Sequence, residues 1–282
     1  MSSNNQSEID KINPETVKPE TVKQQNWFAL QYELFFIAVG FFTRLPVPKN
    51  LDFSAEKLNK ACRYFSLVGW LVALVSITVF YVSYNWFDAP IATLLTMVVG
   101  VLLTGAFHED GLMDSADGIG GGWTPEQKLK IMKDSRVGSY GSIAAWFVLS
   151  LKFALLLQYA ELLGDGAVML AILVAYPMSR AVATVLMFVS PYVRVSDDSK
   201  VKAVAEPKQF SDLYICLAFA FVSLVFVPTS SVLLLVALVC FVALFRYFAH
   251  KQVGGITGDL LGLAQQLSEL LIYAVLIVSV QL

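Results

Sequence analysis

Ala167-Val-Met-Leu-Ala-Ile-Leu-Val-Ala-Tyr-Pro-Met-Ser-Arg-Ala-Val-Ala-Thr-Val-Leu-Met-Phe-Val-Ser-Pro191 carries one charged residue, Arg180, over the length a helix needs to cross a bilayer core of roughly 30 Å. Working outward from it, comparable apolar runs occupy Phe65–Ser83, Ala89–Phe107, Ser139–Tyr159, Leu213–Val227, Ser231–Phe248 and Leu267–Leu282. Only helices or closed barrels satisfy the backbone in lipid, and runs of this length are helical. The expected fold is therefore all-α, a polytopic membrane bundle of about seven spans. An eighth segment, Trp27–Leu45, carries Glu33 and Arg44 and runs into Pro46 and Pro48. It is expected to be an interfacial or re-entrant N-terminal helix, because charge in mid-bilayer is costly and proline ends a helix.

Composition agrees. The chain is 57% hydrophobic and 15% charged, whereas a soluble domain carries about 25% charge. A net charge of −2 argues against a nucleic-acid partner, which needs a basic surface. Cys62, Cys216 and Cys240 are widely separated in or beside apolar runs and read as core or lipid-facing residues. Residues 1–26 contain a tandem Pro-Glu-Thr-Val-Lys, at Pro14–Lys18 and Pro19–Lys23. Such a polar stretch buries too little surface to offset its ordering entropy, so a disordered tail is expected, with 27–282 as one transmembrane catalytic domain.

Arg44, Lys49, Lys57, Lys60 and Arg63 crowd one connection, and loops 108–138, 192–212 and 249–266 hold nearly all the remaining Lys and Arg. The positive-inside rule then places these loops in the cytoplasm. The other side receives the short connections around Asp88, Glu161–Asp165 and Pro228–Ser230, which have no basic residue.

The chemistry is expected in Gly105-Ala-Phe-His-Glu-Asp-Gly-Leu-Met-Asp-Ser-Ala-Asp-Gly-Ile-Gly-Gly-Gly122. Spacings of four and three put Asp110, Asp114 and Asp117 on one helical face, with Glu109 about 100° away. Like charges stacked this way repel, and a hard divalent cation would relieve them; Mg²⁺ fits, with carboxylates, water and substrate phosphates as ligands. Gly118 and the glycines after it would let the backbone approach a phosphate. The bland alternative is a solvated acidic loop.

Lys133, Asp134 and Arg136 follow, and cations suit the remaining oxygens of a polyphosphate. Arg180 is a further candidate phosphate ligand; its alternative is a salt bridge to Glu33 or another buried acid. Near the C-terminus, Thr257 and Asp259 lie in a glycine-rich turn before an apolar helix that also carries Gln266 and Glu269. Both are candidates for substrate binding, and helix capping is the plain alternative for Asp259. His108 is a candidate base or metal ligand, or a structural histidine.

At these residues the chain resembles the cobalamin synthase family, the adenosylcobinamide-GDP ribazoletransferases. The matching blocks are Phe42-Thr-Arg-Leu-Pro-Val-Pro48, Phe107-His-Glu-Asp-Gly-Leu-Met-Asp-Ser-Ala-Asp-Gly118, Ile131-Met-Lys-Asp-Ser-Arg-Val-Gly138 and Gly255-Ile-Thr-Gly-Asp-Leu-Leu-Gly262. The resemblance implies a Mg²⁺-dependent enzyme of the bacterial inner membrane with cytoplasmic active-site loops. It implies attack by a ribose hydroxyl of α-ribazole, or its 5′-phosphate, on the cobinamide-linked phosphorus of adenosylcobinamide-GDP, with GMP leaving. Association with other corrinoid-pathway enzymes is a further expectation.

On this reading Glu109, Asp110, Asp114 and Asp117 hold Mg²⁺, and Asp117 or His108 takes the hydroxyl's proton, with Asp134 a further catalytic candidate. Lys133, Arg136 and Arg180 steady the diphosphate. Two rivals stay open. A CDP-alcohol-type phosphotransferase also stacks aspartates, but its Asp-Gly-x-x-Ala-Arg element is absent, since Asp114 stands where alanine would. A cation transporter would bury its carboxylates within spans.

Overall fold

A computed structural model describes residues 26–193 and 209–282. The tail expected to be disordered and the middle of the 192–212 loop lie outside the described residues.

The described residues form helices joined by short turns, with one isolated parallel bridge between Tyr192 and Ile256. The helices are α1 (Trp27–Phe42), α2 (Ala55–Ala61), α3 (Phe65–Tyr84), α4 (Ala89–Thr104), α5 (Phe107–Gly121), α6 (Pro125–Met132), α7 (Ser139–Leu163), α8 (Ala167–Val189), α9 (Phe210–Phe221), α10 (Ser231–Val253) and α11 (Gly258–Gln281). The chain divides into a short unit ending at Tyr32 and a large one, Glu33–Leu282.

Five helical segments are long and apolar enough to cross a membrane: Ala55–Tyr84, Ser139–Leu163, Ala167–Val189, Ser231–Val253 and Gly258–Gln281. The other two expected spans differ. Ala89–Phe107 is a shorter helix that breaks into α5 through an 86° bend, and Phe210–Phe226 is short and closes in a 3₁₀ turn. The C-terminal helix starts at Gly258, well before Leu267, which brings Asp259, Gln265 and Gln266 into its regular register.

The bend after α4 is local backbone chemistry. Gly105 and Ala106 both take left-handed conformations, φ 65° and 58°. Their N–H groups return to Leu102 and Val101 at 3.2 and 2.9 Å, a helix-ending arrangement that glycine favours. Arg44 lies so close over Gly105 that a side chain there would collide with its guanidinium.

α8 and α11 are the most buried spans and α7 and α10 the most exposed. α8 packs on α3 and α11, and α5 packs on α11 and α7. Gly69 permits the first contact: a methyl there would stand 2.7 Å from the Tyr176 carbonyl oxygen. Within the large unit, Lys57 bonds Glu33 at 2.7 Å and Asp52 at 2.9 Å, so the acid that made α1 doubtful as a crossing has a cation of its own.

Candidate functional site

Helix α5 carries the acidic motif in the register expected of it, and α11 brings Asp259 to it. The two helices meet glycine on glycine. A methyl on Gly111 would stand 2.9 Å from the Asp259 carbonyl oxygen and 3.2 Å from the Gly262 Cα, and one on Gly262 would stand 3.0 Å from the His108 carbonyl oxygen. This approach sets Asp259 within electrostatic range of Asp110 and Asp114. Thr257, not Asp259, caps α11, its hydroxyl accepting from the Leu260 N–H at 3.2 Å. Asp259 is left on the first turn, where it also hydrogen-bonds Thr257 and feels Lys133. The turn before it is pinned to the end of α8 by Ile256 N–H to Pro191 O at 2.9 Å and Val193 N–H to Ile256 O at 2.8 Å.

The four carboxylates expected around one ion divide between three environments. Asp110 is exposed and Asp114 half-buried, and both face Asp259. Asp117 is buried and accepts from the backbone N–H groups of Gly138 at 2.7 Å and Gly141 at 2.9 Å. It is the anion at the N-terminus of α7. Both partners are glycine for a steric reason: a methyl at either position would run into the Asp117 carboxylate. Glu109 points inward, where its Oε1 accepts from Gln266 Nε2 at 3.0 Å and its Oε2 is buried without a partner.

Among the described residues, no three His, Cys, Asp or Glu side chains stand close enough to cage a metal ion. The four carboxylates therefore do not form one preformed cage. Asp110, Asp114 and Asp259 fit the sparser mode in which one or two carboxylates bind and phosphate oxygens and water complete the octahedron.

The other candidates separate too. Gly118 lies inside α5, and its missing side chain makes room for α6: a methyl there would stand 2.8 Å from the Lys128 carbonyl oxygen. It packs helices, and its N–H lies within the helix and not in a phosphate cradle. Arg136 is exposed and paired with Asp134, its NH2 to Oδ2 at 2.6 Å, which holds the Asp134 carboxyl below its usual range. Of the three expected cations, only Lys133 is recorded beside the acids. Arg180 is buried, donating from NH1 to the Tyr176 carbonyl of its own helix at 2.9 Å. His108 is buried with its ring parallel to Phe42, the centroids 6.0 Å apart.

Arg180 belongs to a buried polar cluster that the sequence reading missed. Lys152 of α7 forms an ion pair with Glu269 of α11 and sits 5.1 Å over the Tyr176 ring. Glu269 also accepts from Gln265 Nε2 at 2.8 Å and the Tyr273 hydroxyl at 2.9 Å. Gln265 Nε2 reaches Ser179 Oγ at 2.9 Å. A narrow crevice, with about 260 Å³ of free space counting its mouth, lies among these side chains, with Glu109, Arg180 and Gln266 in its wall. The signal was present: Lys152 stands in the middle of an apolar run, where an ammonium needs an acid.

Fold and site together define a polytopic helical membrane protein with an acidic lip where two helices meet, above a neutralised polar core. The chain belongs to the cobalamin-5-phosphate synthase family, whose model matches residues 34–277. An adenosylcobinamide-GDP ribazoletransferase of Shewanella oneidensis is 46% identical over 258 residues, covering 91% of this chain and 97% of the relative. Relatives of the same name from Shewanella frigidimarina and Shewanella pealeana are 48% identical over 248 residues and 49% over 250, each covering 88% of this chain and 95% and 96% of the relative. No solved structure matches the chain. The protein is thus a membrane transferase of cobalamin biosynthesis.

Proposed function

We propose that this enzyme joins the two halves of the cobalamin nucleotide loop, transferring the adenosylcobinamide-phosphate group of adenosylcobinamide-GDP to α-ribazole or its 5′-phosphate. A ribose hydroxyl forms the new P–O bond, the bond to GMP breaks, and the hydroxyl's proton passes to a carboxylate. The observation that carries this reading is the meeting of Asp110, Asp114 and Asp259 across the Gly111–Gly262 contact, with Lys133 in range.

Phosphoryl transfer asks a protein for positioning and charge more than for covalent chemistry. Asp259 lies on the first turn of α11 and Asp114 on the third turn of α5, both packed helices, which suits them to orient a hydroxyl and hold its proton. Lys133 supplies positive charge toward the diphosphate. Mg²⁺, bound at this lip with substrate oxygens, would neutralise charge on the phosphates and the leaving GMP. Asp117 and Glu109, with their partners on the backbone and in the core, shape the site and leave the ion to one or two of the other acids together with substrate oxygens and water. The charge-rich loops face the cytoplasm in this reading, on the side of the water-soluble substrates.

The test is direct. Purified protein in lipid nanodiscs is incubated with adenosylcobinamide-GDP, α-ribazole and Mg²⁺. The expected products are a cobalamin and GMP in equal amounts, with no GMP when EDTA replaces Mg²⁺. GMP released without a cobalamin, or neither product, removes the assignment.

A further inference from the structure

Beside the acidic lip lies a second cavity, with about 680 Å³ of free space counting its mouth and an almost wholly apolar wall. Phe41, Phe42, Phe65 and Phe107 supply aromatic faces. Phe42 and Phe65 meet edge to face at 4.0 Å, and Phe42 and Phe107 at 5.4 Å. Three polar side chains interrupt the wall, Asn59, His108 and Arg180. Arg180 is 4% exposed, and its Nε–H is buried without an acceptor. The far wall is Ala183 and Met187 of α8, and the near wall is Gly258, Leu261 and Gly262 of α11.

The position matters as much as the lining. Phe107 and His108 begin α5, two or three residues before Asp110, and Gly258 immediately precedes Asp259. The residues that line the cavity therefore adjoin those of the acidic lip along both helices. Sites for small molecules are typically concave, largely apolar and carry a few placed polar groups, which describes this cavity.

We infer that this aromatic cavity is the seat of the acceptor nucleoside's base, a flat, fused, methyl-bearing bicyclic heterocycle of low polarity with one ring nitrogen free to accept a hydrogen bond. The inference rests on the reading of the enzyme as one that transfers to a ribazole. Flat rings pack against phenyl edges and faces at a distance this wall allows. Arg180 in the wall gives a ring nitrogen a guanidinium to meet. A lipid chain would match the apolar wall but offers that guanidinium no acceptor and the phenyl rings no flat partner. Ala183 and Met187 then set how wide a base is accepted.

The test fills and empties the far wall without touching the acids. α-Ribazole and its analogue lacking the two ring methyls are titrated against wild type, Ala183→Leu and Met187→Ala in nanodiscs by equilibrium dialysis, and KM for each substrate is measured beside it. Ala183→Leu should weaken α-ribazole about tenfold or more, as expected for a few methyl groups in a tight pocket. It should weaken the smaller analogue less, with KM for adenosylcobinamide-GDP within about twofold of wild type. Met187→Ala should narrow the preference for the methylated base. Turnover by the wild type, with α-ribazole affinity and base preference unchanged in both variants, overturns the cavity assignment and leaves the proposed function standing. Absence of both turnover and ribazole binding in the wild type overturns both. Displacement of co-purified lipid by Ala183→Leu, seen by native mass spectrometry with ribazole binding intact, identifies a lipid seat and likewise overturns the inference.

Discussion

Apart from Asp117 and Glu161, the charged residues on α5, α7, α8 and α11 fall into two groups built on opposite principles. The inner group sets Lys152 and Arg180 against Glu109 and Glu269 and hydrogen-bonds them through Gln265, Gln266 and Tyr273. The outer group sets three carboxylates, Asp110, Asp114 and Asp259, in mutual range at an edge open to solvent, with Lys133 as their recorded cation. Charge that a protein balances from its own side chains, away from water, belongs to architecture. An excess of one sign at an open edge is where a ligand supplies the balance. Glu109 and Asp110 adjoin in sequence and belong to different groups, because successive residues on a helix point about 100° apart.

Breaking the inner group should cost the most. Lys152→Met leaves Glu269 buried with neutral hydrogen-bond partners and only Arg180 in electrostatic range, and removing one member of a buried pair typically costs about 3–5 kcal/mol. The variant should melt well below wild type in nanodiscs or fail to accumulate in the membrane. Adding Glu269→Gln should recover much of the loss. A single variant as stable as wild type would strip the inner group of its structural role.

Asp114→Asn should do the reverse. It removes one of three like charges, so the melting temperature should hold or rise. Turnover should fall by about 10²–10³, the usual cost of one electrostatic contact to a transition state. A variant with wild-type turnover at saturating Mg²⁺ would move the chemistry away from the lip. The contact that assembles the lip can be loosened separately. A methyl at Gly262 meets the His108 carbonyl, so Gly262→Ala should push α11 from α5 and cost about 1–3 kcal/mol. Turnover should also drop, by about tenfold, because sub-ångström misplacement weakens catalysis.

The apolar runs made the membrane helices legible, and the i, i+4, i+7 spacing placed Asp110, Asp114 and Asp117 correctly on one helix. What the spacing could not show was which neighbour reaches each turn of that helix. Asp117 shares a face with Asp114, but α7 delivers two N–H groups to it before any ion could. Gly118, Gly120, Gly121 and Gly122 read as a phosphate loop, because glycines that admit a ligand and glycines that admit another helix are identical in sequence. Arg180 was legible as a buried charge, but not its surroundings, since Glu109 and Glu269 come from helices far away along the chain. Asp259 was singled out by local reading, although its place beside Asp114 depends on a Gly–Gly contact that no local pattern announces.

Asp117 offers the smallest and most discriminating test. Its carboxylate satisfies two N–H groups at the start of α7, and losing such a cap costs about 1–2 kcal/mol. Asp117→Ala should therefore lower the melting temperature by a few degrees. Assayed well below that temperature, it should keep turnover within about threefold, a bound that follows from assigning the residue a cap's role rather than a transition-state contact. Asp117→Asn retains an acceptor but not the charge, and should fall between the two in stability because the α7 dipole favours an anion. The opposite pattern, an unchanged melt with turnover reduced a hundredfold in both variants, would place Asp117 with Asp114 in the chemistry. It would also show that the line between the two groups had been drawn one turn too early along α5.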